Sequence, residues 1–185
     1  MCLVARGFSQ HPGYDYTETF LPVVWMDTLW AILALASIKN LKIKQMDVKG
    51  AYLNGKLHEI IYMMQPEGFE DGTDRVCRLI KPLYGLKQAG REWNNELDDK
   101  LKKHGYMRLQ ADPCAYAHFD NTDMGILTVW VDDTLLFTMS DTMMQHMENT
   151  LKSEWEVTAL REPTKIVRIE ITQTNKGIKI SGEIY

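Results

Sequence analysis

Cysteine is scarce and scattered: Cys2, Cys77 and Cys114 are the only three in 185 residues. They build neither a disulfide framework nor a paired-cysteine zinc site, a pattern that suits a reducing compartment. Six prolines and twelve glycines are too few for collagen or low-complexity sequence, and 45% hydrophobic content excludes intrinsic disorder. Long apolar runs are missing as well. The longest, Trp30–Ile38 and Gly125–Val131, fall far short of the roughly 18 residues a membrane span requires, so no membrane partner is expected. No charged segment followed by an apolar one opens the chain, so no secretory signal is expected. Positive charge is not in excess either: 21 Lys and Arg stand against 25 Asp and Glu, a net of −4. No overall basic field announces a nucleic acid, although a local positive groove is compatible with that sum. There is no internal repeat and no Gly, Ser or Pro linker. What is left is a soluble intracellular chain, long enough for one well-buried domain or two small ones.

Apolar spacing predicts a helix over Met26–Lys39, with Asp27 in its first turn and Asn40 as its stop. Because Ile32, Leu35 and Ala36 make its second face apolar too, deep burial is expected. A second helix is predicted over Leu86–His104, ended by Gly105, and a third over Asp141–Lys152, capped by Ser140. Strands are expected at Leu41–Val48, Glu59–Met63, Arg75–Ile80, Cys114–Phe119, Gly125–Val131 and Thr134–Phe137. A turn at Asp120–Asp123 joins two of them. A final hairpin, Lys165–Thr172 and Gly177–Ser181, turns at Asn175-Lys176-Gly177. This order implies an α+β sandwich with helices on one face of a largely antiparallel sheet.

The carboxylates carry the chemical signal. In Val129-Trp130-Val131-Asp132-Asp133-Thr134-Leu135 two adjacent acids interrupt an apolar run. A two-residue hairpin favours Asn-Gly or Asp-Gly, and two aspartates at that turn are sterically poorer and repel. Asp132-Asp133 is therefore either a solvated turn or a divalent-metal site. Strand alternation puts Asp47 on the apolar face with Leu41 and Ile43, where it either caps the next turn or faces a ligand. Acids on two strands of one sheet suit Mg²⁺, which takes one or two carboxylates and completes its shell with phosphate oxygens.

Several stretches resemble the reverse transcriptase of copia-type retrotransposons. They are Leu3-Val4-Ala5-Arg6-Gly7-Phe8-Ser9-Gln10 with Asp15-Tyr16-Thr17-Glu18-Thr19-Phe20, and Gln45-Met46-Asp47-Val48-Lys49-Gly50-Ala51-Tyr52-Leu53-Asn54-Gly55. Ile61-Tyr62-Met63-Met64-Gln65-Pro66-Glu67-Gly68-Phe69, Leu83-Tyr84-Gly85-Leu86-Lys87-Gln88-Ala89 and Val131-Asp132-Asp133 complete the order. The resemblance implies a palm, a ferredoxin-like antiparallel sheet backed by helices, over residues 41–155. Residues 1–40 would be a fingers remnant and lead-in helix, and 156–185 a primer-grip-like hairpin. Thumb, ribonuclease H, integrase and protease regions would be absent. It further implies templated addition of deoxynucleotides to a primer by two-metal nucleotidyl transfer. Asp47 and Asp132 would hold Mg²⁺ (or Mn²⁺) and Asp133 would complete the triad. The partners would be an RNA or DNA template with its primer and deoxynucleoside triphosphates. Cytoplasmic particles or the nucleus would be the place of work.

By the same resemblance Tyr52 is a steric gate under the incoming sugar, where a core aromatic is the plainer reading. Tyr84, Gly85, Lys87, Gln88 and Trp130 would approach nucleotide or template, and Arg168 the primer. Lys87 suits phosphate contact or a solvated helix turn alike. Between Arg75 and Lys103 eight basic side chains face four acidic ones, compatible with backbone tracking or an ordinary helix face.

The chain departs from the family pattern in places. Cys2, Trp25 and Trp30 stand for arginine, Leu21 for serine, Gly90 for proline, Trp130 for tyrosine and Arg168 for glycine. Arginine to cysteine or tryptophan, serine to leucine and glycine to arginine are each one transition away, as cytosine deamination would leave them. The alternative to an active polymerase is thus a decayed, catalytically inactive relic with residual nucleic-acid or metal binding. An unrelated metal-dependent hydrolase would need an apolar substrate pocket and no aromatic gate.

Overall fold

The computed structural model describes residues 3–120, 123–160, 165–166, 169–174 and 177–182. The chain divides into two compact units, one of residues 1–21 and 50–98, the other of 22–49 and 99–185. Three α-helices and mainly antiparallel strands make it an α+β protein among the described residues.

In the second unit, α1 (Met26–Lys39) has the predicted bounds. Asn40 ends it in the left-handed conformation at φ 51°, its N–H donating to the Ala36 carbonyl. At the start, the Asp112 carboxylate accepts from the Trp25 N–H at 2.7 Å. Leu29, Ile32, Leu33 and Ala36 are buried, but Trp30 is 41% and Ile38 76% exposed, so the expected deep burial is only half realised. A helix with two apolar faces is covered only where neighbouring elements reach it, and here they reach one side.

After α1 come β1 (Lys42–Val48), β2 (Tyr62–Met63), β3 (Cys77–Arg78) and α2 (Ala89–Lys103). Then follow β4 (Met107–Arg108), β5 (Ala115–Phe119), β6 (Met124–Trp130), β7 (Asp133–Thr138), α3 (Asp141–Glu154) and β8 (Val157–Leu160). β9 (Lys165–Ile166), β10 (Ile169–Thr174) and β11 (Gly177–Gly182) close the order. The main sheet runs β4-β5-β6-β7-β1-β8, each neighbouring pair antiparallel. α3 lies against β6 and β7, with Met143 and Met147 over Gly125. Its Ser140 cap accepts the Met143 N–H at 3.1 Å, as predicted.

Two sheet edges, β4 and β8, were not predicted, because two- and four-residue segments carry too little periodicity. Conversely, the strands expected at Glu59–Met63 and Arg75–Ile80 shrink to the short β2–β3 pair, where Tyr62 opposes Arg78. Ile60, Tyr62, Val76 and Ile80 are exposed, so no packed face extends that ladder. The expected strand Lys165–Thr172 is instead two strands, β9 and β10, pairing antiparallel with Ile166 opposite Ile169. The Asn175-Lys176 turn, Cys2 and Arg168 with its primer role lie outside the described residues.

Candidate active site in the second unit

β1 carries Ile43, Gln45 and Asp47 on one face by simple alternation. Its register against β7 sets Asp47 directly opposite Asp133 and Gln45 opposite Leu135. On the other flank of β7, Trp130 opposes Asp133. That pairing corrects the expected turn: the two loop residues are Val131 and Asp132, one position earlier than Asp132-Asp133. Asp133 belongs to the strand because it is held by ladders on both sides. The positive φ a two-residue hairpin needs therefore falls on Val131, at 57°. For a β-branched residue that conformation is an outlier costing about 1–3 kcal/mol. Backbone anchoring keeps it there: the Val48 N–H donates to the Asp132 carbonyl at 2.9 Å. The Lys49 N–H, one residue on, donates to the Glu156 carbonyl at 2.9 Å.

Asp47, Asp132, Asp133 and Trp130 are all half-buried. Burial, and after it the charge of Asp132, holds the Asp47 carboxyl above its ordinary value, while Lys49 pulls the other way. Burial likewise raises Asp133, opposed by a hydrogen bond from Gln45 and reinforced by Asp132 and Asp47. Like charges directly opposite in an antiparallel pair destabilise it. Three mutually repelling carboxylates, two of them disfavoured as anions, form a site that a cation would relieve.

No three His, Cys, Asp or Glu side chains among the described residues are grouped so as to hold an ion by themselves. Hard oxygen donors that repel one another fit Mg²⁺ rather than Zn²⁺, provided water and phosphate complete the shell.

Sequence reasoning missed Gln45. Its side chain is 2% exposed, and Nε2 donates to Asp133 Oδ1 at 2.8 Å. The signal was present: a carboxamide at an inward position of the apolar face between Ile43 and Asp47.

The remaining predicted residues belong to the first unit. The Tyr52 and Tyr84 rings lie 4.5 Å apart at 40°, and Tyr52 also packs on the Ile61, Leu86 and Ala89 cluster. Gly85 has φ 95°, and a Cβ there would overlap the Ala5 carbonyl oxygen. Only glycine serves both demands. The Ala5 N–H donates to the Tyr84 carbonyl at 2.7 Å across this crossing. Lys87 is exposed, its N–H donating to Gln10 Oε1 at 2.7 Å. Gln88 is fully buried; its amide donates to the Asp15 carbonyl at 2.8 Å and accepts from Gln10 at 3.1 Å. The same unit has a cavity of about 1030 Å³ between Arg6, Gln10, Tyr62, Met64 and Phe69, which the sequence did not announce. No helix among the described residues is long and apolar enough to cross a membrane.

A family profile described as reverse transcriptase (RNA-dependent DNA polymerase) matches residues 1–185, and the chain belongs to that family. Its relatives are copia-type transposon polyproteins. It is 38% identical over 188 residues to the retrovirus-related Pol polyprotein from transposon TNT 1-94 of Nicotiana tabacum, covering 99% of this chain and 14% of that one. To the Pol polyprotein from transposon RE2 of Arabidopsis thaliana it is 34% identical over 185 residues, covering 99% and 13%. To the truncated Ty1-A Gag-Pol polyprotein of Saccharomyces cerevisiae it is 30% identical over 167 residues, covering 90% and 13%. The chain thus spans about a seventh of the length of the tobacco relative. No solved structure matches it.

Proposed function

We propose that this chain carries the catalytic carboxylates of an RNA-directed DNA polymerase, in a palm built on the six-stranded sheet. The observation that supports it most is the Asp47–Asp133 cross-strand pair with Asp132 in the adjoining loop. Asp47 and Asp132 are the residues that would hold Mg²⁺, or Mn²⁺ in its place, and Asp133 completes the acidic set. Bound there, the cation would lower the pKa of a primer 3′-hydroxyl and neutralise the charge of the triphosphate and departing pyrophosphate. The chain's own contribution is to hold the carboxylates rigidly, on paired strands and an anchored hairpin, so that they do not reorganise during the reaction. Template, primer and deoxynucleoside triphosphates are the partners this chemistry requires. Tyr52, in the first unit, is the residue we assign to discrimination against ribose.

The experiment is primer extension on an RNA template with Mg²⁺ and deoxynucleotides, beside Asp132→Ala. Extension that disappears in the variant is the expected result. A folded chain that extends nothing would overturn the active-polymerase reading.

The relic reading has one observation behind it: Trp25 and Trp30 are 57% and 41% exposed, large indoles in water where the family has arginine. Against it stands another pair of departures. A Cβ at Gly90 would lie 2.6 Å from Leu21 Cδ2 and 3.1 Å from Leu21 Cβ, so the larger residue at 21 fills the space the smaller one at 90 leaves. Unselected decay does not match sizes.

A further inference from the structure

Two aspartates facing each other across antiparallel strands tend to part. Each carboxylate lowers its energy by turning toward water and away from the other charge. At Asp133 something opposes that. Gln45 sits on β1 two residues before Asp47 and on the same face, and diagonally across from Asp133 in the register. Its Nε2 donates to Asp133 Oδ1 at 2.8 Å, and the side chain is 2% exposed. Buried among the sheet's packed side chains, that carboxamide cannot follow the carboxylate outward, so it acts as a fixed tether.

The chemical type matters as much as the position. A lysine at 45 would hold Asp133 more strongly but would neutralise the charge that attracts a cation. A glutamate would add a further negative charge. An apolar residue would fill the space and leave Asp133 to swing. A neutral donor orients the carboxylate and leaves its charge available.

We propose that Gln45 is a positioning residue of the polymerase site: it holds the Asp133 carboxylate beside Asp47 and so keeps the negative charge where a divalent cation binds. This rests on the polymerase reading for its purpose, but not for its geometry.

The test uses the whole chain with Gln45→Met, which keeps the length and removes the donor. Two quantities are read. The first is the χ1 rotamer of Asp133 in metal-free protein, from three-bond NMR couplings. The second is Mn²⁺ affinity by electron paramagnetic resonance, in the wild type, Gln45→Met, Asp133→Asn and the double variant. The expected result is one rotamer in the wild type and averaging in Gln45→Met. Mn²⁺ affinity should fall about tenfold, as for other groups that orient a metal's carboxylates. The double variant should bind no more weakly than Asp133→Asn, because Gln45 acts through that carboxylate. An unchanged single rotamer in Gln45→Met, or a full additional loss in the Asp133→Asn background, would overturn the proposal. If Gln45→Met does not melt like the wild type, Gln45→Asn replaces it, since it keeps a buried amide too short to reach. Should the wild type bind no Mn²⁺, the polymerase reading loses its cation, while the couplings alone still decide whether Gln45 positions Asp133.

Discussion

Asp71 and Asp133 are the same residue type in two regions of the molecule, and their carboxyls are driven in opposite directions. In the first unit, Asp71 accepts from the Thr73 hydroxyl, from Gln65 and from the Thr73 N–H, with Arg75 alongside, and is pulled down to about 2. In the second unit, Asp133 is raised chiefly by burial, against the hydrogen bond from Gln45, with the charges of Asp132 and Asp47 adding to the rise. A carboxylate surrounded by donors is already satisfied and serves as a loop staple. One short of positive partners, sitting opposite another acid, marks a place where charge is stored for something to bind. The sequence shows acids in both regions; their surroundings tell them apart.

The two regions also differ in how they are held. The sheet strands are zipped by long ladders, whereas the first unit relies on close backbone crossings and buried amides such as Gln88. On that contrast, Gly85→Ala should be the most damaging single change. Its Cβ would meet the Ala5 carbonyl at a left-handed backbone position, costing about 3 kcal/mol by urea denaturation. A loss under about 0.5 kcal/mol would show that the crossing yields easily. Next comes Gly90→Pro, which restores the family residue against an unchanged Leu21 and should cost about 2 kcal/mol. Adding Leu21→Ser should recover most of it; independent, additive costs would remove the case that these departures are matched.

For the sheet the sign reverses. Because the folded carboxyl of Asp47 lies above its ordinary value, its ionisation opposes folding, so stability is full below the ordinary value and falls as pH rises through the folded one. Asp47→Asn should therefore stabilise the divalent-free chain at pH 7 by about 1 kcal/mol. A destabilised variant would mean that Asp47 is a structural acid like Asp71.

The smallest effect concerns Glu148. Burial alone would raise its carboxyl, but hydrogen bonds from Lys44 and Lys152 bring it below its ordinary 4.5. A depressed folded value gives stability that is present above about pH 4.5 and is lost as pH falls through the folded value. Lys44→Met should remove about 0.5 kcal/mol at pH 7 and flatten that acid limb. Equal acid limbs in wild type and variant would place the acid sensitivity elsewhere.

Much of this was legible in the residues. α1 ends at Asn40 and α3 begins after Ser140 because these caps are local: a donor or acceptor a few positions away decides them. The three aspartates were legible because acids in apolar strands are anomalies of composition. The turn was misread by one residue, since preference alone cannot weigh Val131's strain against the ladders that hold Asp133. The short edges β4 and β8 escaped because they exist only by pairing with strands already in place.

The sequence by itself determined the family, the helices and which acids stand where the chain has few other reasons to put them. Those signals are short-range or lie in runs of residue identity. Only the tertiary structure decided that Asp47 faces Asp133, that Gln45 reaches across to the same carboxylate, and that Val131 takes the left-handed position. These depend on register between strands far apart in the chain, where a slip of one residue would turn every side chain to the opposite face.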